Sequence, residues 1–226
     1  MSKIFATFLF CTISLISFGQ DFTSSTDSDP EAKALLDKIK KQYQSYKSLE
    51  AVFTLDIEIP EQPKEVQKGT ISQQGNKYNL QLGSQSVISD GKAIWLIMEN
   101  NKEVQINDIP EEGEDNSILS PQSLFTFYEK GDFVYIMANE FHDKATGKNV
   151  QQIEFKPLDK DSEYIKLRLT VEKGTGVVQN IKAFSRDGSR FTFTLDKISP
   201  NKTFAASHFS FDKEKYKGYY IEDLRE

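Results

Sequence analysis

A disulfide is excluded at once, because this 226-residue chain has one cysteine, Cys11. The fold must therefore be stabilised by its own apolar core. Histidine is almost as scarce: His142 and His208 are the two present, and they do not sit at metal-ligand spacing. No G-x-S-x-G elbow occurs, and no phosphate-binding glycine loop follows a strand pattern. Positive charge is also short, with a formal net charge of −6, which argues against a nucleic-acid ligand. Asp159-x-Asp161 beside Lys160 reads as a surface turn rather than as a catalytic pair. A carboxylate pair assembled only in three dimensions stays open at this level, but nothing in the motif content points to an enzyme, a metal or a cofactor.

What is present begins with an apolar run. Lys3 precedes Ile4 to Ile16, and Ser17-Phe18-Gly19 follows with small residues suited to a signal peptidase. The run is too short and too rich in Ser and Thr for a membrane span. Phe10 precedes Cys11, where an acylated lipoprotein cysteine needs a small residue. Residues 1–19 are thus expected as a cleaved signal peptide without a lipid anchor, residues 20–28 as a flexible lead-in, and 29–226 as one domain. No internal repeat or long linker interrupts that domain.

Aromatic residues make up 12% of the chain, with 17 Phe against a single Trp. Such a load has many apolar faces to cover or a cavity to line. Asp29-Pro30-Glu31 starts a helix, with a capping oxygen, Pro at N1 and a carboxylate in the first turn. Ala32, Leu35, Leu36, Ile39, Tyr43 and Tyr46 then form one apolar stripe. From Leu49 the period changes to two, with Ala51, Phe53, Leu55, Ile57 and Ile59 on one side until Pro60 and Pro63 intervene. Short strands follow over Val66–Ile71, Lys77–Leu82 and Lys102–Asn107, and later over Phe133–Ala138, Val150–Phe155, Tyr164–Glu172, Val177–Ser185 and Arg190–Ile198. Ile165, Leu167, Leu169 and Val171 read as one inward row.

Between these lies Val87-Ile88-Ser89-Asp90-Gly91-Lys92-Ala93-Ile94-Trp95-Leu96. Asp90-Gly91 predicts a type I′ hairpin turn with positive φ at both central residues. The arm Ala93–Met98 is apolar at every position, so apolar material is expected in front of it and behind it. The acidic stretch Ile109–Asn116 reads as a solvated loop, since calcium-loop spacing is missing. Ser120 to Tyr128 reads as a short helix, with Leu124, Phe125, Phe127 and Tyr128 apolar in several directions. The expected fold is mainly β (α+β): a single unclosed, strongly curved antiparallel β-barrel of about eleven strands, with helices lidding an apolar cavity. Period-two alternation places Phe53, Leu55, Ile57, Tyr78, Leu80, Ile94, Leu96, Leu167, Leu169, Phe191 and Phe193 on its concave face. Leu35, Ile39, Tyr43, Leu124, Phe125 and Tyr128 are the lid candidates.

The order of these elements resembles the LolA family, the periplasmic carriers of outer-membrane lipoproteins in Gram-negative bacteria. The likeness is carried by Tyr43-Gln44-Ser45-Tyr46-Lys47-Ser48-Leu49, Ala51-Val52-Phe53, Gly69 and, most specifically, Ser89-Asp90-Gly91-Lys92-x-Ile94-Trp95. It continues through Ser120-Pro121 to Phe209-Ser210-Phe211. The resemblance implies a monomeric chaperone in the periplasm whose cavity takes lipoprotein acyl chains when its lid opens. Implied partners are an inner-membrane lipoprotein-releasing ABC transporter complex and a possible outer-membrane receptor. The family's Arg-Pro pair, whose Arg latches the lid, is replaced here by Gln73-Gln74-Gly75-Asn76-Lys77. Gln74 is the expected stand-in, although a register one residue later would put Gly75 there. Rival readings on the same fold are a carrier of a free lipid or polyene pigment, a stress-response sensor and an anchored receptor.

Overall fold

The computed structural model describes residues 24–110 and 127–225. The expected signal peptide, most of the acidic loop, and Leu124 and Phe125 of the second expected helix lie outside the described residues. The one α-helix among them, α1 (Pro30–Gln44), starts as its sequence dictates. Asp29 Oδ1 accepts from the Glu31 N–H at 2.8 Å, and Pro30 occupies the first turn. Its stripe buries Ala32, Leu36 and Ile39. Ser25–Asp27, inside the expected flexible lead-in, forms a 3-10 turn with a Ser24–Asp27 capping box.

Twelve strands form one sheet that does not close: β1 (Leu49–Glu58), β2 (Glu65–Gln74), β3 (Lys77–Leu82), β4 (Gln85–Ser89), β5 (Ala93–Met98), β6 (Glu103–Asp108), β7 (Phe133–Asp143), β8 (Lys148–Pro157), β9 (Tyr164–Glu172), β10 (Val178–Ser185), β11 (Arg190–Pro200) and β12 (Tyr220–Asp223). Their order is β12-β6-β5-β4-β3-β2-β1-β11-β10-β9-β8-β7. Two antiparallel meanders, β1–β6 and β7–β11, are thus joined by the pairing of β1 with β11. The twelfth strand differs from the all-antiparallel expectation, because β12 lies parallel to β6. A connection running from β11 around the sheet permits this, whereas a hairpin would not.

Two covers lie on opposite faces and at opposite ends. On the inner face α1 packs against β7 to β10, where Ile39 and Leu36 meet Ile153, Phe155, Leu167, Leu169 and Val178. On the outer face the segment after β11 covers β4 to β6, where Tyr216 and Phe211 pack with Ile88, Trp95, Ile97 and Val104. Trp95 stacks on Phe211 with ring centroids 5.7 Å apart, and Phe211 on Tyr216 at 5.4 Å. The outward apolar side chains of β5, Trp95 and Ile97, are accounted for in this way. No helix among the described residues is long and apolar enough to cross a membrane.

The β4–β5 turn is not type I′. Gly91 has φ 86°, but Asp90 is not among the residues with positive φ. Its carboxylate instead accepts the N–H groups of Lys92 at 2.8 Å and Ala93 at 3.0 Å. An Asx turn closes the loop without strain at a residue bearing a Cβ. Ile165 also departs from the inward row and is 50% exposed. The register between β9 and β10 shifts between Phe184 and Ser185, and that bulge ends the alternation before Ile165.

Candidate functional site

Cross-strand partners share a face of a sheet, so the registers decide which side chains line the inner surface. Phe53, Leu55 and Ile57 of β1 lie opposite Leu195, Phe193 and Phe191 of β11. Phe193 and Phe191 in turn lie opposite Ile181 and Ala183, which face Leu169 and Leu167. In the other direction Ile71 faces Leu80, Leu80 faces Val87, and Val87 faces Leu96. Gln73, Tyr78, Ser89 and Ile94 form the neighbouring row. All eleven side chains expected on the concave face therefore share one face, the face that carries α1.

They do not share one environment. Leu167 at 0% exposure, Leu169 at 4% and Phe53 at 2% are packed core, the first two directly beneath α1. Tyr78 is buried as well. Leu55, Ile57, Leu80, Ile94, Leu96, Phe191 and Phe193 are only half-buried. Among the described residues, neither packed cluster includes these seven. The inner face thus divides into a half filled by α1 and an apolar half, centred on β1 to β5, that the described elements leave unfilled. Ile71, Leu82 and Val87 also lie in the second half and are not among the expected lining residues, although their own period-two spacing carries the signal.

The floor of the site is set by a glycine. Gly69 lies opposite Phe53 in register, and the Phe53 ring occupies the space where a Cβ on residue 69 would stand. Such a Cβ would also meet the Gln81 carbonyl oxygen at 2.6 Å. The absent side chain leaves room for the Phe53 ring, which meets Phe193 at 4.5 Å with the ring planes tilted by 32°.

Among the lid candidates, Ile39 is buried, while Leu35 and Tyr43 pack against the same cluster. Tyr128, at the end of the second expected helix, lies in a 3-10 turn (Phe127–Lys130) and meets Tyr135 edge-on at 5.9 Å. Lys40 of α1 bridges to Glu129 of that turn at 2.5 Å. Burial pushes the Tyr43 phenol up to about 12, partly opposed by a hydrogen bond from the Val178 backbone. A cavity of about 540 Å³ opens beside it, walled by Tyr43, Tyr46, Val178, Leu195 and Ile198, with Lys148 and Asp143 at its polar side. Gln74 is exposed at the end of β2, and alternation from Ile71 puts Gln73 rather than Gln74 on the inner face.

Asp159 accepts the Asp161 N–H at 2.8 Å, as a surface turn does. His142 is exposed on β7 beside Asn149, and His208 stacks on Phe204 at 4.7 Å. No group of three or more potential metal ligands occurs among the described residues.

The profile of the family described as outer membrane lipoprotein carrier protein LolA matches residues 44–212. No curated protein matches in sequence. Among solved structures, an uncharacterised conserved protein from Thermus thermophilus is similar over 87% of this chain and 99% of its own, at 10% identity and a TM-score of 0.56. A LolA-superfamily protein from Nitrosomonas europaea is similar over 80% of this chain and 98% of its own, at 12% identity and a TM-score of 0.42. A putative outer membrane lipoprotein-sorting protein domain from Vibrio parahaemolyticus matches over 82% and 99%, at 11% identity and a TM-score of 0.44.

Proposed function

Since the chain belongs to the LolA family of outer-membrane lipoprotein carrier proteins, we propose that its unfilled inner half-face holds the acyl chains of lipoproteins in transit. The observation that carries this reading is the row Ile71–Leu80–Val87–Leu96. Four strands present apolar side chains inward, and the row stays half-buried among the described residues. The carrier works in the periplasm after loss of residues 1–19, takes cargo from an inner-membrane ABC transporter complex and delivers it toward the outer membrane. An outer-membrane receptor completes the proposed route.

The energetics favour such a surface. Burying an acyl chain yields about 0.8 kcal/mol per CH₂, so one long chain gives roughly 10 kcal/mol. Three fully sheathed chains would exceed the practical limit of non-covalent affinity, near ~20 kcal/mol. A carrier must release its load, and an open-sided face covers chains incompletely. α1 supplies one wall, and the half-face beyond it supplies the contact.

Native mass spectrometry of the mature chain incubated with a synthetic diacylated lipopeptide tests this. The expected result is a 1:1 complex that Leu80→Glu with Leu96→Glu abolishes while the melting temperature stays close to the parent's. A complex with free fatty acid or a polyene pigment, and none with lipopeptide, would reassign the cargo. Binding of no amphiphile at all would end the carrier reading.

A further inference from the structure

The outer face of β8 to β11, opposite α1, carries a feature that the carrier reading does not use. Phe184 of β10 is surrounded by four cations: Lys166 at 5.0 Å from the ring centroid, Arg168 at 5.5 Å, Lys182 at 5.6 Å and Arg190 at 6.0 Å. The registers explain the gathering. Lys166 and Arg190 lie directly opposite Phe184 on its two flanking strands, and Arg168 lies directly opposite Lys182. Like charges directly opposite each other destabilise a sheet. In a chain of net charge −6 this is a concentrated exception.

The surroundings neutralise only part of it. Glu154 of β8 accepts from Arg168 Nε at 3.0 Å and pairs with Lys166 at 3.2 Å. Burial works to raise the Glu154 carboxyl, but the hydrogen bonds from Arg168 and Lys166 outweigh it and hold the group below the ordinary range. Glu58 of β1 stands 3.7 Å from Lys182, and the next carboxylate, Asp56, is taken by Lys64 at 2.8 Å. Arg190 is exposed and makes no ion pair among the described residues. Four cations thus face two carboxylates, one at each side of the ring.

We propose that this patch docks an acidic segment of a partner protein, whose carboxylates sit between Lys182 and Arg190 above Phe184. Its chemistry favours a protein over a membrane. The uncompensated charge is a spot fenced by Glu154 and Glu58, whereas a bilayer surface would press its phosphates onto those carboxylates as well. An acidic segment can place two carboxylates within the fence and lay an apolar side chain along the ring. The cations, already held near the ring, lose little side-chain freedom on binding. The patch is on the face away from the proposed cargo surface, so the partner can engage a loaded carrier.

The test is fluorescence anisotropy of a labelled peptide containing four Glu and one Phe, with wild type, Lys182→Ala/Arg190→Ala, and Lys77→Ala/Lys92→Ala as a charge-matched control. The patch variant is expected to weaken binding about tenfold, the control to change it less than twofold, and added salt to erase the difference. Equal binding by wild type and the patch variant overturns the proposal. So does patch-dependent sedimentation with phosphatidylglycerol vesicles when the peptide does not bind, or dimerisation of the chain that the patch variant abolishes. Both double variants are expected to melt within a few degrees of wild type, since Lys77, Lys92 and Arg190 are exposed and Lys182 pairs only with Glu58, at 3.7 Å, among the described residues. Lipopeptide uptake reports on the carrier reading alone: its absence in every form, with peptide binding intact, would fault that reading and uphold the patch.

Discussion

Gly69→Ala is the sharpest perturbation of the inner surface. The added methyl would run into the Phe53 ring and stand 2.6 Å from the Gln81 carbonyl oxygen. One obstacle is a side chain that is itself 2% exposed and packed against Phe193, and the other is backbone in a paired strand. Neither can retreat without loss elsewhere. Overpacking of a filled site costs about 1–3 kcal/mol, and two rigid obstacles put this case near ~3 kcal/mol. For a domain of this size a loss of that order lowers the melting temperature by about 6–12 °C. Calorimetry of Gly69→Ala, Phe53→Leu and the double variant separates the two obstacles. A shorter residue at 53 removes the ring from the path of the methyl but leaves the Gln81 oxygen in place. The double variant should therefore recover roughly half of the Gly69→Ala loss, a coupling of about 1 kcal/mol or more. An unchanged melting temperature in Gly69→Ala, or strict additivity in the double variant, would refute the close approach on which this reasoning depends.

Other expectations follow from single groups. The Tyr43 phenol, raised to about 12 by burial against an opposing Val178 hydrogen bond, favours the folded state fully below pH 10, and that contribution of about 3 kcal/mol is lost as pH rises through 12. Melting curves between pH 9 and 12 should accordingly fall more steeply for wild type than for Tyr43→Phe; parallel curves would contradict the assignment. Asp29→Ala removes the cap of α1 and the carboxylate oxygen that accepts the Met137 N–H of edge strand β7 at 3.3 Å. Denaturant unfolding should show a loss of about 2 kcal/mol, larger than a cap alone contributes. Asp90→Ala deprives the β4–β5 loop of its two backbone bonds and should cost about 1 kcal/mol by the same measurement, with lipopeptide binding retained.

Most of the sheet was legible because its signals are local. Pro60 and Pro63 end β1, the Gly75-Asn76 turn joins β2 to β3, and alternation placed eleven side chains on one face correctly. What alternation cannot express is depth. Leu167 and Leu55 look alike in sequence, yet α1 lies on the first and not on the second. An amphipathic stripe announces that a helix covers something without saying which strands. Bulges were equally silent, as Ile165 shows, because one extra residue reverses parity without changing residue type. The Asp90 turn misled for a different reason: Asp can supply either positive φ or a carboxylate acceptor, and the sequence is the same for both. The basic patch arises from residues 154 to 190 brought side by side by register, a relation invisible along the chain.

The outer cover of β4 to β6 has a consequence for the order in which the molecule can assemble. Trp95, Ile97 and Val104 are made early, but Phe211 and Tyr216, which shield them, come more than a hundred residues later. Until then one apolar surface of the first meander stays wet, and the loop that must close to cover it is long. That surface is covered only when Phe211 and Tyr216 reach it, and the contact is made at the lone tryptophan. Indole emission thus reports the packing of Phe211 over Trp95 rather than the growth of the sheet.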